Sequence, residues 1–172
     1  MHMTSIRTLG FRLIVLGLAV APLAACSAAG ISSFGNNRLQ VAEVNNIGTY
    51  TAESALVQAR GHFRSNDFGH SATFYKRVVE LSPQTAEGYV GLGASYDRLR
   101  RFDLSDRVYA SLFALSGGTA QYYNNVGYSQ MLRGNLKDAM SNFRQAQKLA
   151  PDNVVIANNM QLVKQAAATA RI

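Results

Sequence analysis

The sequence predicts an all-α protein, a solenoid of three helix pairs closed by a C-terminal capping helix. Apolar residues recur at three- and four-residue spacing, as Tyr89, Leu92, Tyr96 and Leu99 do, which is the pattern of an amphipathic helix. Residue types also repeat with a period of about 34 positions. Hydrophobic residues make up 48% of the chain and charged residues only 16%, a composition that supports a packed core and argues against disorder.

The first 25 residues have the pattern of an export signal. Arg7 and Arg12 occur without any acidic residue, and the apolar segment 13–25 follows. A helix of that length spans about 20 Å, which is short of a hydrocarbon core of about 30 Å. Pro22 further disfavours a permanent membrane helix. We therefore predict that residues 1–25 are a signal peptide.

The signal segment ends in Leu23-Ala24-Ala25-Cys26, which resembles the lipobox of bacterial lipoproteins. The resemblance implies that Cys26 carries a covalent lipid, with palmitate among its acyl chains, and that no other cofactor is needed. In that family an Asp after the cysteine retains the protein in the inner membrane, so Ser27 favours the periplasmic face of the outer membrane. The alternative is an ordinary cleaved signal peptide in which Cys26 is incidental. Cys26 is the only cysteine, so an intrachain disulfide is excluded.

Residues 26–51 are rich in Ser, Gly and Asn, and we expect them to form a flexible tether between the lipid and the folded part.

Three successive copies of the repeat fit residues 52–153 without a gap. Pro83 and Pro151 lie two periods apart, and Gly117 lies midway between them. The copies cover residues 52–85, 86–119 and 120–153. One aligned column holds large aromatic residues, Tyr75, Tyr109 and Phe143, and another holds small residues, Ala59, Gly93 and Gly127. This pattern resembles the tetratricopeptide repeat (TPR) family. The resemblance implies two antiparallel helices, A and B, in each copy, with the small residue allowing them to approach closely and the aromatic residue packing against the next copy.

Short polar segments separate the predicted helices. Asn66-Asp67 and Gly134-Asn135 can adopt the left-handed backbone of a helix exit. Asp103 is placed to cap the fourth helix, and Asp152 or Asn153 to cap a seventh. Residues 154–172 are predicted to be this capping helix and a tail. The helix aligns with helix A of the repeats and would cover the apolar end of the solenoid.

The sequence contains no motif for catalysis or metal binding. His62 and His70 are separated by a turn and have no acidic residue that we expect beside them, so we interpret them as surface histidines. The glycines between Gly88 and Gly93 lie within a predicted helix and are explained by close helix packing rather than by phosphate binding. We therefore predict no enzymatic activity, no catalytic residues, no metal and no small-molecule substrate. A net charge of +7 favours anionic partners or forms a solvated basic face, and the export signal argues against nucleic acid.

The TPR resemblance implies that the A helices line a concave groove for a partner protein. Asn side chains there can pair with peptide groups of a ligand, and this interpretation favours Asn124 and Asn158 as ligand contacts. For Asn125 and Asn159, hydrogen bonds between neighbouring helices are an equal alternative. The groove lacks the Lys and Arg set expected of a clamp for a C-terminal carboxylate. The candidate groove residues are Arg60, Phe63, Glu87, Asp97, Asn124, Asn125, Tyr128, Asn158 and Leu162.

The combination of lipobox, tether and three repeats resembles the TPR lipoprotein of Tad/Flp pilus assembly and, more loosely, pilotin lipoproteins. This resemblance implies an interaction scaffold in the cell envelope whose partner is a secretin or another pilus assembly component. The alternative is an envelope TPR lipoprotein that assists peptidoglycan synthesis or outer-membrane protein assembly.

Overall fold

The computed structural model describes residues 39–170, which form seven α-helices and one 3-10 turn, Ile47–Thr49, without any strand. The predicted signal peptide, Cys26 and the first half of the predicted tether, residues 26–38, lie outside these residues. Within this range, none of the helices combines the length and the apolar character that a membrane span requires. The α-helices are α1 (Ala52–Arg64), α2 (Phe68–Leu81), α3 (Ala86–Arg98), α4 (Phe102–Ser116), α5 (Ala120–Leu132), α6 (Leu136–Leu149) and α7 (Val154–Thr169).

The helices pack as three hairpins and a final helix. The pairs α1–α2, α3–α4 and α5–α6 form the hairpins, while α2 packs on α3 and α6 packs on α7. The odd-numbered helices also contact one another in succession, from α1 to α3, α5 and α7. This contact order confirms the predicted all-α solenoid of three repeats with a capping helix.

The turn inside each hairpin has the same backbone conformation. Asn66, Arg100 and Gly134 have positive φ values of 60°, 57° and 83°, and they occupy the same position in successive repeats. The residue after each of them donates its amide N–H to the carbonyl five positions earlier, at 2.9 Å in all three turns. These hydrogen bonds satisfy carbonyl groups at the end of each A helix. The left-handed turns predicted at Asn66 and Gly134 are therefore present, and Arg100 adopts the same conformation despite its side chain.

The helix caps agree with the sequence in part. Asn153 caps α7 by accepting hydrogen bonds from the amides of Val155 and Ile156, at 3.0 and 3.3 Å, which selects it over Asp152. The prediction that Asp103 caps α4 is wrong. The helix begins at Phe102, so Asp103 lies in its first turn, where its carboxylate accepts hydrogen bonds from the Arg101 guanidinium at 3.3 and 3.4 Å.

The described part of the predicted tether is not free of the repeats. Thr73 of α2 donates its hydroxyl to the carbonyl of Ala42 at 2.5 Å, and Arg77 donates to the carbonyls of Gly48 and Tyr50, at 3.0 and 3.4 Å. Every third side chain of this segment packs against the core of the first two repeats, which explains why residues 39–51 follow α2 instead of extending away from it. These side chains are Val41, Val44, Ile47 and Tyr50.

Close approach of helices in the core depends on missing side chains. The aromatic rings of Tyr75, Tyr109 and Phe143, which are at most 6% exposed, occupy space beside glycines of the facing helices. A Cβ atom on Gly127 would lie 2.8 Å from ring carbons of Phe143 and 3.2 Å from the backbone carbonyl of Ala139. The ring and the backbone cannot both move away, so a glycine is required there by packing.

We therefore expect Gly127→Ala to lower the free energy of unfolding by about 1–3 kcal/mol through overpacking. The matched control is Gly61→Ala in α1, where an added Cβ would meet no atom within 4 Å. That change should instead stabilise the helix by about 0.5–1 kcal/mol, because alanine loses less backbone entropy on folding. Urea unfolding followed by circular dichroism measures both. Equal stability of the two variants would contradict the packing argument.

Candidate functional site

A concave cavity of about 270 Å³ opens between the helices of all three repeats and the capping helix. We call it the groove pocket. Its wall combines aromatic and aliphatic surface with asparagine amides and one guanidinium. It is lined by Phe63, Ala94, Arg98, Tyr109, Asn124, Asn125, Tyr128, Val155 and Asn159.

Four of the predicted groove residues line this pocket, namely Phe63, Asn124, Asn125 and Tyr128. The asparagines play different roles from those expected. Asn159 of α7 donates an amide hydrogen to the side-chain carbonyl of Asn124 at 2.9 Å, so Asn124 takes part in a bond between helices. The amide nitrogen of Asn125 is buried and has no hydrogen-bond partner in the described part of the chain. Asn125 is therefore the pocket-lining asparagine whose buried donor lacks a partner, and a ligand reaches this donor when the side chain turns toward the pocket.

A second cavity of about 370 Å³ continues the concave surface between α5 and α7. It shares Asn124, Asn125 and Val155 with the groove pocket. Gln121 lies at its other side, so the two cavities together expose one continuous face of α5.

Two further predicted groove residues pair with each other. The guanidinium of Arg60 donates two hydrogen bonds to the carboxylate of Glu87, both at 2.6 Å, which joins α1 to α3. The predicted residues of α7, Asn158 and Leu162, are exposed but are not among the residues that line the pocket. The side chain that α7 turns toward α5 is instead Asn159, one position later.

Asp97 lies beneath the groove surface rather than on it, since its side chain is only 1% exposed. Its carboxylate accepts hydrogen bonds from the hydroxyl of Tyr109 at 2.8 Å and from that of Ser129 at 2.7 Å. Burial raises the pKa of Asp97, and the hydrogen bonds from its hydroxyl neighbours oppose this shift only in part. Burial also raises the pKa of Tyr109, and the nearby carboxylate adds to the effect. Asp97 therefore fixes the tyrosine ring that lines the pocket.

Arg133, the residue that follows α5, extends this network to α4. Its guanidinium donates to Ser129 at 3.0 Å and forms a two-point ion pair with Asp106 of α4. It also lies 4.7 Å from the ring centre of Phe102. The chain from Asp97 through Ser129 to Arg133 and Asp106 thus connects α3, α5 and α4, the helices that surround the pocket.

The sequence does not single out three residues of the pocket wall, Arg98, Tyr109 and Val155, as ligand contacts. The repeat pattern explains Tyr109 by packing, and Val155 lies in the predicted capping helix. For Asn159 the sequence leaves ligand contact and a bond between helices as equal alternatives, and the structure shows the bond between helices. The Arg98 guanidinium lies 4.2 Å from the ring centre of Phe68, which holds a positive charge at the pocket rim. The net charge of +7 is the available sequence signal for Arg98, but it gives no position relative to the groove.

The structure corrects the expectation that no acidic residue lies beside His62 and His70. One carboxylate oxygen of Asp67 accepts a hydrogen bond from the Nδ1 of each imidazole, at 3.0 Å for His62 and 2.8 Å for His70. The two rings stack with centres 5.0 Å apart. The hairpin turn folds back between α1 and α2, which is why residues eight positions apart meet at one side chain.

With this geometry established, comparison with known proteins identifies one repeat. A family model described as "Tetratricopeptide repeat" matches residues 120–153, which is the third predicted copy. No curated protein sequence matches the chain.

Solved structures with the same fold are TPR domains. The first TPR domain of human RPAP3 shares 18% sequence identity over 69% of this chain and 94% of that domain, with a TM-score of 0.61. The TPR2B domain of yeast Sti1 shares 16% over 69% of this chain and 97% of that one, with a TM-score of 0.60. The Yersinia enterocolitica chaperone SycD shares 17% over 70% and 98%, with a TM-score of 0.57. The described chain therefore has the fold of a TPR domain.

Asp97 makes a testable contribution to the pH dependence of stability. Its pKa is raised on folding, so the native state holds this proton more tightly than the unfolded chain. The associated stability is fully present below the ordinary carboxyl pKa of 3.8 and is lost as the pH rises through the higher native value. We expect Asp97→Asn to remove this decrease in stability with rising pH. The free energy of unfolding in urea, determined at several pH values, measures the effect. The matched control is Asp152→Asn, which removes an exposed carboxylate. Parallel pH profiles for wild type and Asp97→Asn would contradict the assignment.

Proposed function

We propose that this protein is an envelope scaffold that binds a peptide segment of a partner protein in the groove pocket. The observation that carries the proposal is the buried, unpaired amide donor of Asn125 in a concave, mainly apolar wall. A buried donor without a partner is destabilising by about 1–3 kcal/mol, and a ligand carbonyl oxygen would remove that penalty. A site that gains a hydrogen bond only when occupied is suited to recognising a backbone.

The pocket also limits the chemistry of the segment. Phe63, Tyr128 and Val155 offer surface to one apolar side chain, while Arg98 places a positive charge at the rim. Arg60 is paired with Glu87, so Arg98 is the one guanidinium in the pocket lining. We infer an internal peptide with an apolar residue next to an acidic one, rather than a C-terminal carboxylate gripped by several cations.

Peptide complexes of similar folds support this mode of binding. SycD is described in complex with a peptide of the translocator YopD, and the second TPR domain of human RPAP3 in complex with an HSP70 peptide. Neither partner is carried over to this chain, because the sequence identity is 17% in both cases.

The cellular setting is proposed from the N-terminal sequence. The lipobox ending at Cys26 and the following Ser27 support a lipid anchor in the outer membrane, with the repeats on the periplasmic side. The resemblance to the Tad/Flp assembly lipoprotein supports a secretin or pilus component as the partner. In this setting the scaffold would position the partner at the membrane without catalysing a reaction.

The groove is tested by Asn125→Ala, with Asn158→Ala as the matched control on the exposed face of α7. Asn125→Ala removes an unpaired buried donor, so it should leave stability unchanged or raised while it weakens partner binding. Lipidated protein solubilised from envelopes is used for pull-down, and the bound partner is identified by mass spectrometry and titrated.

We expect Asn158→Ala to bind like wild type and Asn125→Ala to bind at least about fivefold more weakly, the loss of one net hydrogen bond of about 1 kcal/mol. Equal binding by the two variants would exclude the pocket. A partner unrelated to pilus or secretin assembly would exclude the Tad/Flp role and leave the groove intact.

The anchor is tested by labelling with radioactive palmitate. We expect wild type to incorporate label and Cys26→Ser to incorporate none, because the thiol is the lipid acceptor in the lipobox. The Cys26→Ser variant should also be lost from the outer-membrane fraction, while its circular dichroism spectrum should remain that of the wild-type repeats. Label that persists in Cys26→Ser, or that is missing from wild type, would refute lipidation at this residue.

A further inference from the structure

A cluster of three metal-ligating side chains lies at the turn between α1 and α2, outside the groove pocket. His62, Asp67 and His70 each offer a ligand atom, and these atoms lie within 4.8 Å of one another. Both imidazoles direct Nδ1 at the same oxygen of Asp67, at 3.0 and 2.8 Å. Only hydrogen atoms separate these nitrogens from the carboxylate, and a metal cation can replace them.

The geometry points to a divalent transition-metal site formed by His62, Asp67 and His70, with Zn²⁺ as the cation best matched to the donor set. Two imidazole nitrogens and one carboxylate oxygen are typical ligands of zinc, and three protein ligands leave a fourth position open.

The distances are close to those that the metal requires. Tetrahedral zinc with bonds of 2.0–2.1 Å places its ligands about 3.3 Å apart. The two imidazole-to-carboxylate distances differ from this value by about 0.5 Å or less. The remaining distance, between the imidazoles, closes by rotation of His70, whose side chain is 41% exposed and therefore free to move.

The other two ligands are held in place. The His62 ring stacks on Phe74, with centres 5.5 Å apart and planes at 11°, and Phe74 is buried. Asp67 is the N-cap of α2 and accepts the amide hydrogen of His70 at 3.4 Å. The carboxylate is thus oriented before any metal arrives.

A cavity of about 420 Å³ lies beside two of the proposed ligands. It is lined by Asp67, Gly69 and His70 on one side and by residues 40–43 on the other. Water can reach the cluster through this cavity and complete the coordination of the metal.

The test is calorimetric titration of the purified full chain with Zn²⁺ alone, after removal of metal by a chelator. We expect one equivalent of Zn²⁺ to bind to wild type. Because metal binding releases protons, the measured heat should depend on the buffer that takes them up. His62→Gln and His70→Gln should each weaken binding at least about tenfold. Asp67→Asn should weaken binding to the same extent, because the amide carries no charge. The helix should be preserved, because Asn caps a helix as well as Asp does. Asp152→Asn is the matched control and should bind like wild type.

A second measurement separates lost binding from lost structure. Zn²⁺ should raise the Tm of wild type and Asp152→Asn, and it should leave the Tm of the three ligand variants unchanged. Absence of saturable binding to wild type overturns the proposal. Undiminished affinity in either histidine variant or in Asp67→Asn also overturns it, since the metal would then be held elsewhere in the chain.

Discussion

The structure depends on how closely the helices approach where a side chain is missing. In each hairpin the B helix supplies an aromatic ring, and the facing A helices leave space for it at Gly91, Gly93 and Gly127. Dispersion energy falls off steeply with distance. A ring that packs directly against a glycine backbone therefore gains more dispersion energy than a ring that a methyl group keeps at a distance. Tyr75 against Gly91 also sets the spacing between the first and second hairpins, because these residues lie in α2 and α3. Because Tyr109 supplies one of the rings, its hydroxyl lies where Asp97 can bond it, and its edge becomes part of the pocket wall.

The contacts between successive repeats differ in polarity, and this difference places the pocket. Between the first two repeats, Ser71 and Ser95 share a neutral hydrogen bond of 3.0 Å between their hydroxyls. Between the second and third, a buried carboxylate is bonded by two hydroxyls, and an arginine continues the chain. An ionisable group in the interior is tolerated only with such partners. Each bond constrains the helices that carry it, so the pocket at the second and third repeats has a rigid wall.

Much of the fold follows from the sequence, because the repeat period constrains the backbone. The hairpins, the capping helix and the left-handed turns at Asn66 and Gly134 were all predictable from aligned positions. Side-chain direction was less predictable, because it depends on helix crossing geometry that an alignment does not contain. Asp97 occupies a groove position in the repeat pattern, yet its side chain is buried, and Tyr109 and Ser129 donate hydrogen bonds to it. Asp67 shows the same limitation, since the contact with both histidines arises only when the hairpin closes.

The asparagine pairs show how identical repeat positions acquire different roles. Asn124 and Asn125 of α5 align with Asn158 and Asn159 of α7, but the two helices have different neighbours, since α5 packs on α3, α4, α6 and α7 while α7 packs on α5 and α6. Asn159 of α7 donates one hydrogen bond to Asn124, whereas the amide nitrogen of Asn125 is buried without a partner in the described part of the chain. At the other end of the groove Arg60 and Glu87 pair with each other, but both side chains are nearly half exposed, and ion pairs in contact with solvent contribute little. The Arg60–Glu87 pair is therefore a weaker link between helices than the buried hydrogen bonds that Asp97 accepts.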